Sequence, residues 1–555
     1  MTVATEHEFD ILRPLTRLSA ITAGAPAYYR GLIEDADEYV RVGARIQLLS
    51  MDSVVIDDWP AIVSQCCYAS IRALAVEHFE KIFEHGLARR AAETVAPQSD
   101  DIRRSGMLAR LDLDQEAVAR TEGQMYLATG NAKYLIAAAE ASEAAEGWRK
   151  ALPWLLRHLT LSPLDSAAAG MLLLNLAHAR EGNLLEDYLL TLERLDLHAH
   201  LLPFGRAYLA SIRKDNEACL KELAPLTDRA VAATANLAPL LQWLKSLRAE
   251  TLDRLGQYQD SHNEYVVLNS LNRDSKFNPA EFYAHVEARS AVRIPPLPED
   301  PRKDVFQMLG FPRSGTTLLE NALNAHPGIE TFEEIPSHEA AVSYIFRVPR
   351  RQTPPPASPV ELFVEARQRY YQELDRRRRN HLARVLVDKL PMQSADARFI
   401  ARLFPERRYI FSIRHPFDVV LSCFRQQFAP NLTMENFRTI ADSVRLYDFT
   451  MSEWFGVFTL DSPQVLYVRY EDLVTEFEPT IRRTLGFLGL PWDDAVLEFA
   501  ARAEQRSAKT PSYQKVRQGL SIGVQTYWRN YGFVFQTPEA EPLHKWARFF
   551  GYPTS

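Results

Sequence analysis

Between Gly310 and Thr317 the chain reads GFPRSGTT. The spacing Gly310-x4-Gly315-Thr316-Thr317 is that of a phosphate loop, with Thr316 where a nucleoside triphosphatase would carry lysine. An apolar run, VFQMLG, leads into it and an apolar-periodic segment, TTLLENALNA, leads out. A strand–turn–helix of this kind aims backbone N–H groups at an anion, and the helix N-terminus adds partial positive charge. A triphosphatase or nucleotide kinase needs the lysine on its β/γ-phosphates. Here Arg313 supplies charge from inside the loop instead, so the expected ligand is an anion pair other than the end of a triphosphate.

Further candidates follow. Glu333 and Glu334 close a second expected strand, and a carboxylate works as a base near neutral pH if burial raises its pKa. Lys389, in VDKLP, is the only lysine between positions 303 and 509, a span otherwise rich in arginine. Its ammonium is a compact point charge that can approach a bridging oxygen more readily than a broad guanidinium. Arg414 and Ser422 stand eight apart in RHPFDVVLS, across a strand end and the next helix, and Tyr470 ends another strand in VRYEDL. His415 has no Cys or second His at ligand spacing, so no metal is implied.

The elements that must position these residues alternate. VFQMLG (305–310), RVLVDKL (384–390), RYIFSIR (408–414) and QVLYVRY (464–470) are short apolar runs separated by helical patterns. That order predicts an α/β domain over 305–555 with a parallel sheet covered by helices. Four prolines in VRIPPLPEDPRKD (292–304) predict a linker, and RRQTPPPASP (350–359) a surface insertion. Before the linker the pattern is helical throughout. Ala151, Leu155, His158 and Pro163, then Ala249, Gly256, Tyr258, Ser261 and Tyr265, fall at tetratricopeptide-repeat spacing over 111–291. Gly147, Gly182 and Gly256 lie 35 and 74 apart, near one and two repeats of about 34, and a turn is expected at Lys214-Asp215-Asn216. Residues 1–110 are expected to form a helical cap.

With 555 residues, 46% hydrophobic and 24% charged, the chain can bury real cores, which excludes a fibrous or disordered protein. Four cysteines cannot form a disulfide framework. No signal peptide or 18-residue apolar stretch is visible, and a cytoplasmic protein is expected. The net charge of −7 is uneven: residues 301–555 carry 33 Lys and Arg against 29 Asp and Glu, and residues 1–300 carry 31 against 42. A positive second half suits an anionic ligand. The run Arg376–Arg379 reads as an exposed helix end, so no nucleic acid is expected.

PRSGTTLLENALNAHPGIETFEEIP, DKLP, SIRHPFDVVLSCF, RYEDLV and TPSYQKVRQ, in this order over about 305–552, resemble the sulfotransferases that use 3′-phosphoadenosine-5′-phosphosulfate (PAPS). The resemblance is to the bacterial group with N-terminal tetratricopeptide (TPR) repeats, related to protein-tyrosine sulfotransferases. It implies a P-loop-like fold in which Arg313, Ser314, Gly315, Thr316 and Thr317 hold the 5′-phosphosulfate, with Arg313 and the loop amides facing the sulfonate. It also implies Glu334 as the base that takes the acceptor's proton and Lys389 as stabiliser of the leaving group. Arg414, Ser422 and Tyr470 would grip the 3′-phosphate, and Ser512 would belong to a late loop closing over the nucleotide. Departures are Ile335-Pro336 where tyrosine-specific members have Thr-Arg, Gln426 in place of an arginine, and Tyr527 before Trp528.

The expected function is therefore transfer of a sulfuryl group from PAPS, without metal, to a hydroxyl acceptor. The acceptor is left open between a peptide or protein tyrosine and a carbohydrate, with the helical half recruiting it. The alternative is a repeat scaffold whose second domain binds nucleotide without catalysis.

Overall fold

β1 (Val305–Gly310) is buried along its whole length, as the middle strand of a parallel sheet must be. The computed structural model describes residues 115–226, 238–347, 358–498 and 527–554, save single positions within them, together with Tyr29, Leu32, Val40 and Ala44. The chain divides into two compact units, 1–257 and 258–555.

In the first unit the described elements are helices: α1 (Gln115–Thr129), α2 (Lys133–Glu146), α3 (Trp148–Leu161), α4 (Ser166–His178), α5 (Gly182–Arg194), α6 (Leu202–Ile212), α7 (Asn216–Leu223) and α8 (Ala238–Arg254). Leu152, Leu155, Leu172, Leu176, Leu189 and Phe204 fill its core. The turn expected near Lys214 is present: Lys214 takes φ 62°, and Asp215 caps α7 by accepting from the Ala218 amide at 3.0 Å. Arg180 takes φ 59° in the turn before α5, 34 positions earlier (214 − 180). Gly147 and the residues expected to form a cap, apart from the four single positions, lie outside the described residues.

The second unit begins before the proline stretch. α9 (Tyr258–Leu271) and α10 (Pro279–Ser290), read from sequence as part of the helical half, pack with this unit instead. Asn269 donates to the Phe424 carbonyl at 2.8 Å, and Phe282 and Val286 enter the larger core. The segment after α10 is a strap rather than a free tether. Arg402 donates to the Val292 carbonyl and Arg367 to that of Pro298, and Asp300 is buried against Arg407 and Tyr371. Three apolar residues, Val292, Ile294 and Leu297, lie partly buried against the core and explain why a proline-rich segment is held down.

Among the described residues five strands form one parallel sheet in the order β2-β3-β1-β4-β5. The others are β2 (Ile329–Glu333), β3 (Val385–Lys389), β4 (Arg408–Ile413) and β5 (Val465–Arg469). α11 (Thr316–Asn324), α12 (Ser337–Arg347), α13 (Pro359–Arg377), α14 (Ala397–Leu403), α15 (Pro416–Phe424) and α16 (Ile440–Phe455) follow these strands, then α17 (Tyr470–Thr475), α18 (Phe477–Leu488) and α19 (Glu541–Phe549). Two apolar layers result. Leu319, Leu323, Ile481 and Leu485 cover one face, while Phe399, Phe411, Trp454 and Tyr370 cover the other. Because β1 lies between β3 and β4, the loop leaving it opens at the point where the strand order reverses, the usual ligand position in such sheets.

Candidate active site

The β1–α11 loop is built by glycines that nothing else could replace. Gly310 takes φ 153°, and a Cβ there would meet the Ser412 carbonyl at 2.8 Å. Gly315 takes φ 99° at the N-cap of α11, where a Cβ would stand 2.6 Å from Tyr470 Cδ2. Arg313 adopts φ 69° although it has a side chain. A non-glycine residue in this region costs energy and persists where its surroundings hold it. Ser394 Oγ donates to the Gly310 carbonyl at 2.7 Å and fixes the start of the turn.

Four of the expected residues join on the β4–β5 flank of this loop. Arg313 Nε donates to Ser422 Oγ at 3.1 Å, and Arg414 Nη1 donates to the Arg313 carbonyl at 3.2 Å. The Arg414 guanidinium lies 4.5 Å from the centroid of the Tyr470 ring, which itself packs on Gly315. Sequence placed Arg313 at the sulfonate end and Ser422 at the 3′-phosphate; the Arg313 side chain turns toward Ser422, whose hydroxyl gives the half-buried guanidinium an acceptor. Burial, with Arg414 as a second cation, pulls the Arg313 pKa below its ordinary value. Two neighbouring, half-buried guanidiniums are relieved by an anion. The buried Ser314 hydroxyl makes no hydrogen bond, which leaves its donor available to such an anion. Loop, cations and orphan hydroxyl fit a phosphate-bearing nucleotide.

The other flank holds the remaining pair. Strand register sets Glu333 opposite Lys389, so Glu334 turns across the end of β3 with φ 49°. Its amide donates to the Lys389 carbonyl at 2.8 Å, and its carboxylate accepts from Lys389 Nζ at 3.1 Å. Lys389 is fully buried, yet its pKa stands above the usual lysine value. Burial works against the charge, and Glu320, Glu334 and Glu333 outweigh it. Glu334 does not have the burial expected of a base: its side chain is 44% exposed. A position at a strand end, facing out of the sheet, leaves it open to an incoming group.

Glu320 was missed from the sequence. Its Oε2 lies 3.3 Å from Lys389 Nζ, and the one visible signal was an acidic residue inside the otherwise apolar TTLLENALNA helix. Arg425 lies 5.1 Å from each of the Tyr527 and Tyr531 ring centroids and 5.2 Å from that of Tyr265. Ser512 lies outside the described residues.

Residues 306–494, which span β1 to β5, match the model of the sulfotransferase family. This stretch is thus similar to sulfotransferase-family domains. Among sequence relatives, an uncharacterized protein of Aquifex aeolicus (strain VF5) is 29% identical over 255 residues, covering 44% of this chain and 33% of that protein. Protein-tyrosine sulfotransferase 1 of Danio rerio is 28% identical over 194 residues, covering 34% of this chain and 54% of the relative. The chain thus spans from a third to about half the length of these relatives. The solved sulfotransferase domain from the Synechococcus PCC 7002 olefin synthase aligns over 47% of this chain and all of its own, with 19% identity and a TM-score of 0.35. The phosphate loop, Glu334, Lys389, Arg414, Ser422 and Tyr470 all fall within the matched range. Among the described residues no helix is long and apolar enough to cross a membrane, and no cluster of His, Cys, Asp and Glu is arranged to hold a metal.

Proposed function

We propose that the protein transfers a sulfuryl group from PAPS to a hydroxyl acceptor. The observation that carries this reading is the division of the phosphate loop's surroundings: a cationic flank of Arg313, Arg414 and Ser422 on one side, and the Glu334–Lys389 pair on the other. A donor with phosphate at the ribose and phosphosulfate at the 5′ end has anionic groups for both. When bound, it supplies the sulfuryl group and a phosphate leaving group.

The chain's own residues then have distinct tasks. The loop from Arg313 to Thr317, with the first amides of α11, binds the 5′ phosphates. Arg414, Ser422 and Tyr470 select the 3′-phosphate, and Arg313 joins them through Ser422. Glu334, exposed at the end of β2, accepts the proton of the acceptor hydroxyl as that oxygen attacks in line. Lys389 stays protonated and stabilises charge on the departing phosphate oxygen, a role that needs a fixed cation more than a mobile proton.

The acceptor class we infer is a peptide or protein, because named relatives are protein-tyrosine sulfotransferases. Contacts in the helical unit recur at near-constant separation. Ser166 pairs with His200, Asn175 with Glu143 and Cys219 with Thr251, at sequence distances of 34, 32 and 32. That spacing supports stacked TPR-like helix pairs, whose concave face would recruit the acceptor. The test is transfer of labelled sulfate from PAPS to tyrosine peptides and carbohydrates by the full chain. Binding of the desulfonated nucleotide without transfer to any acceptor would favour the scaffold reading instead.

A further inference from the structure

Lys389 has three N–H donors and three carboxylates around it. Glu334 lies at 3.1 Å, and Glu320 and Glu333 each at 3.3 Å. These acceptors differ in freedom. Glu320 is 5% exposed and comes from α11, one turn beyond the phosphate loop; its Oε1 is 3.2 Å from Thr331 Oγ1 on β2. Glu333 is 16% exposed and fixed in strand register. Only Glu334 is open and on a strained turn. A carboxylate buried inside an apolar helix face is costly without a partner, and Lys389 is the cation set against it. The other neighbouring acid, Asp388, points to the opposite face, where it accepts from Ser337 and Tyr370.

Lys389 Nζ donates hydrogen bonds to Glu333 and Glu334 and is ion-paired, without a hydrogen bond, to Glu320 Oε2 at 3.3 Å, so the acceptor most readily exchanged for a substrate oxygen is the exposed Glu334. We infer, on the sulfotransferase reading above, that Glu320 is a positioning residue: with Glu333 it anchors the Lys389 ammonium from below, so that Glu334 alone is exchanged for a substrate oxygen. Glu320 does not touch the reacting atoms. It acts through Lys389, fixing where the cation stands and tempering its pull on the phosphate product. Of the three carboxylates, it contributes most to keeping Lys389 charged.

The experiment uses the full chain with Glu320→Gln, which keeps shape and removes charge. Calorimetry with the desulfonated nucleotide should show several-fold tighter binding, because the ammonium is no longer shared with a buried anion. Turnover with PAPS should fall by ~10-fold or more, because the cation is no longer fixed at the reacting centre. A merely structural glutamate would give no such opposed change. Unchanged affinity and turnover, or losses in both that follow the melting temperature, overturn the inference while wild-type transfer leaves the functional reading standing. If the wild type neither binds the nucleotide nor transfers sulfate, the reading fails and the inference with it. Should Glu320→Gln fail to fold, Thr331→Val, which removes the second contact of Glu320, must show the same split at smaller size, and its absence also overturns the inference.

Discussion

Glu334 and Lys389 hold each other twice, backbone amide to carbonyl at 2.8 Å and ammonium to carboxylate at 3.1 Å. Neighbouring parallel strands bring this about: β2 and β3 end in register, so the residue after β2 must cross the end of β3. The left-handed backbone at Glu334 is held by both bonds. The residues proposed as base and stabiliser are therefore one unit, and a change in either acts on both.

Lys389→Ala removes the single cation from among three carboxylates, one of them buried. Breaking a buried pair in this way costs about 3–5 kcal/mol. The variant is expected to melt well below wild type and to lose turnover. Adding Glu320→Gln should restore part of the melting temperature and none of the activity, because it removes the orphaned charge without supplying a cation. Melting curves and sulfate transfer on the two variants check this, and equal melting of single and double variants would refute it.

Gly315→Ala places a methyl group where the Tyr470 ring already stands, at a φ that favours glycine. The ring must move, and with it the Arg414 guanidinium stacked on it. Affinity for the desulfonated nucleotide is expected to drop ~10-fold or more, equivalent to about 1.4 kcal/mol, with a stability loss of about 1 kcal/mol from the backbone. Nucleotide binding by calorimetry decides, and wild-type affinity would show that the ring is not needed there.

Much of this arrangement was legible in the sequence because it depends on local pattern. The four apolar runs became β1, β3, β4 and β5 nearly to the residue, since strands covered on both faces of a parallel sheet are predominantly apolar. Gly310 and Gly315 announced the loop because only glycine fits those backbone angles beside Ser412 and Tyr470. What stayed hidden depends on tertiary contact. The proline stretch read as a tether because its carbonyls' partners, Arg402 and Arg367, lie far along the chain. The bond from Arg313 to Ser422 spans 109 positions, and no local spacing signals it. Likewise, the exposure of Glu334 and the burial of Glu320 follow from which way α11 and β2 face.

Arg414→Ala and Ser422→Ala test the 3′-phosphate assignment. Removing a charge-assisted contact to phosphate typically costs about 1.5–3 kcal/mol, so Arg414→Ala should weaken binding of the 3′-phosphorylated nucleotide by ~10–100-fold. Ser422→Ala should cost less directly, but it also frees Arg313 Nε from its acceptor. Neither should alter binding of the same nucleotide lacking the 3′-phosphate. Equal losses for both nucleotides would move these residues to another part of the ligand.

Acid should destabilise both units, through a buried histidine in one and a half-buried histidine in the other. His415 is stacked on Trp528 and hydrogen-bonded through Nε2 to the Pro553 carbonyl, and burial pulls its pKa from 6.5 to about 4. His178, packed beside Trp243, is pulled from 6.5 to about 4 for the same reason. Between pH 6.5 and 4 the unfolded chain binds more protons at these sites than the folded one. Stability contributed by the neutral rings is thus present above 6.5, declines as pH falls, and is gone below about 4. Each histidine can account for ~3 kcal/mol at most, at about 1.4 kcal/mol per pH unit. Denaturant unfolding at pH 7 and pH 5 should show the loss, with His415→Phe weakening it in the second unit and His178→Phe in the first. A stability that stays flat over this range would mean that neither ring is held neutral by its surroundings.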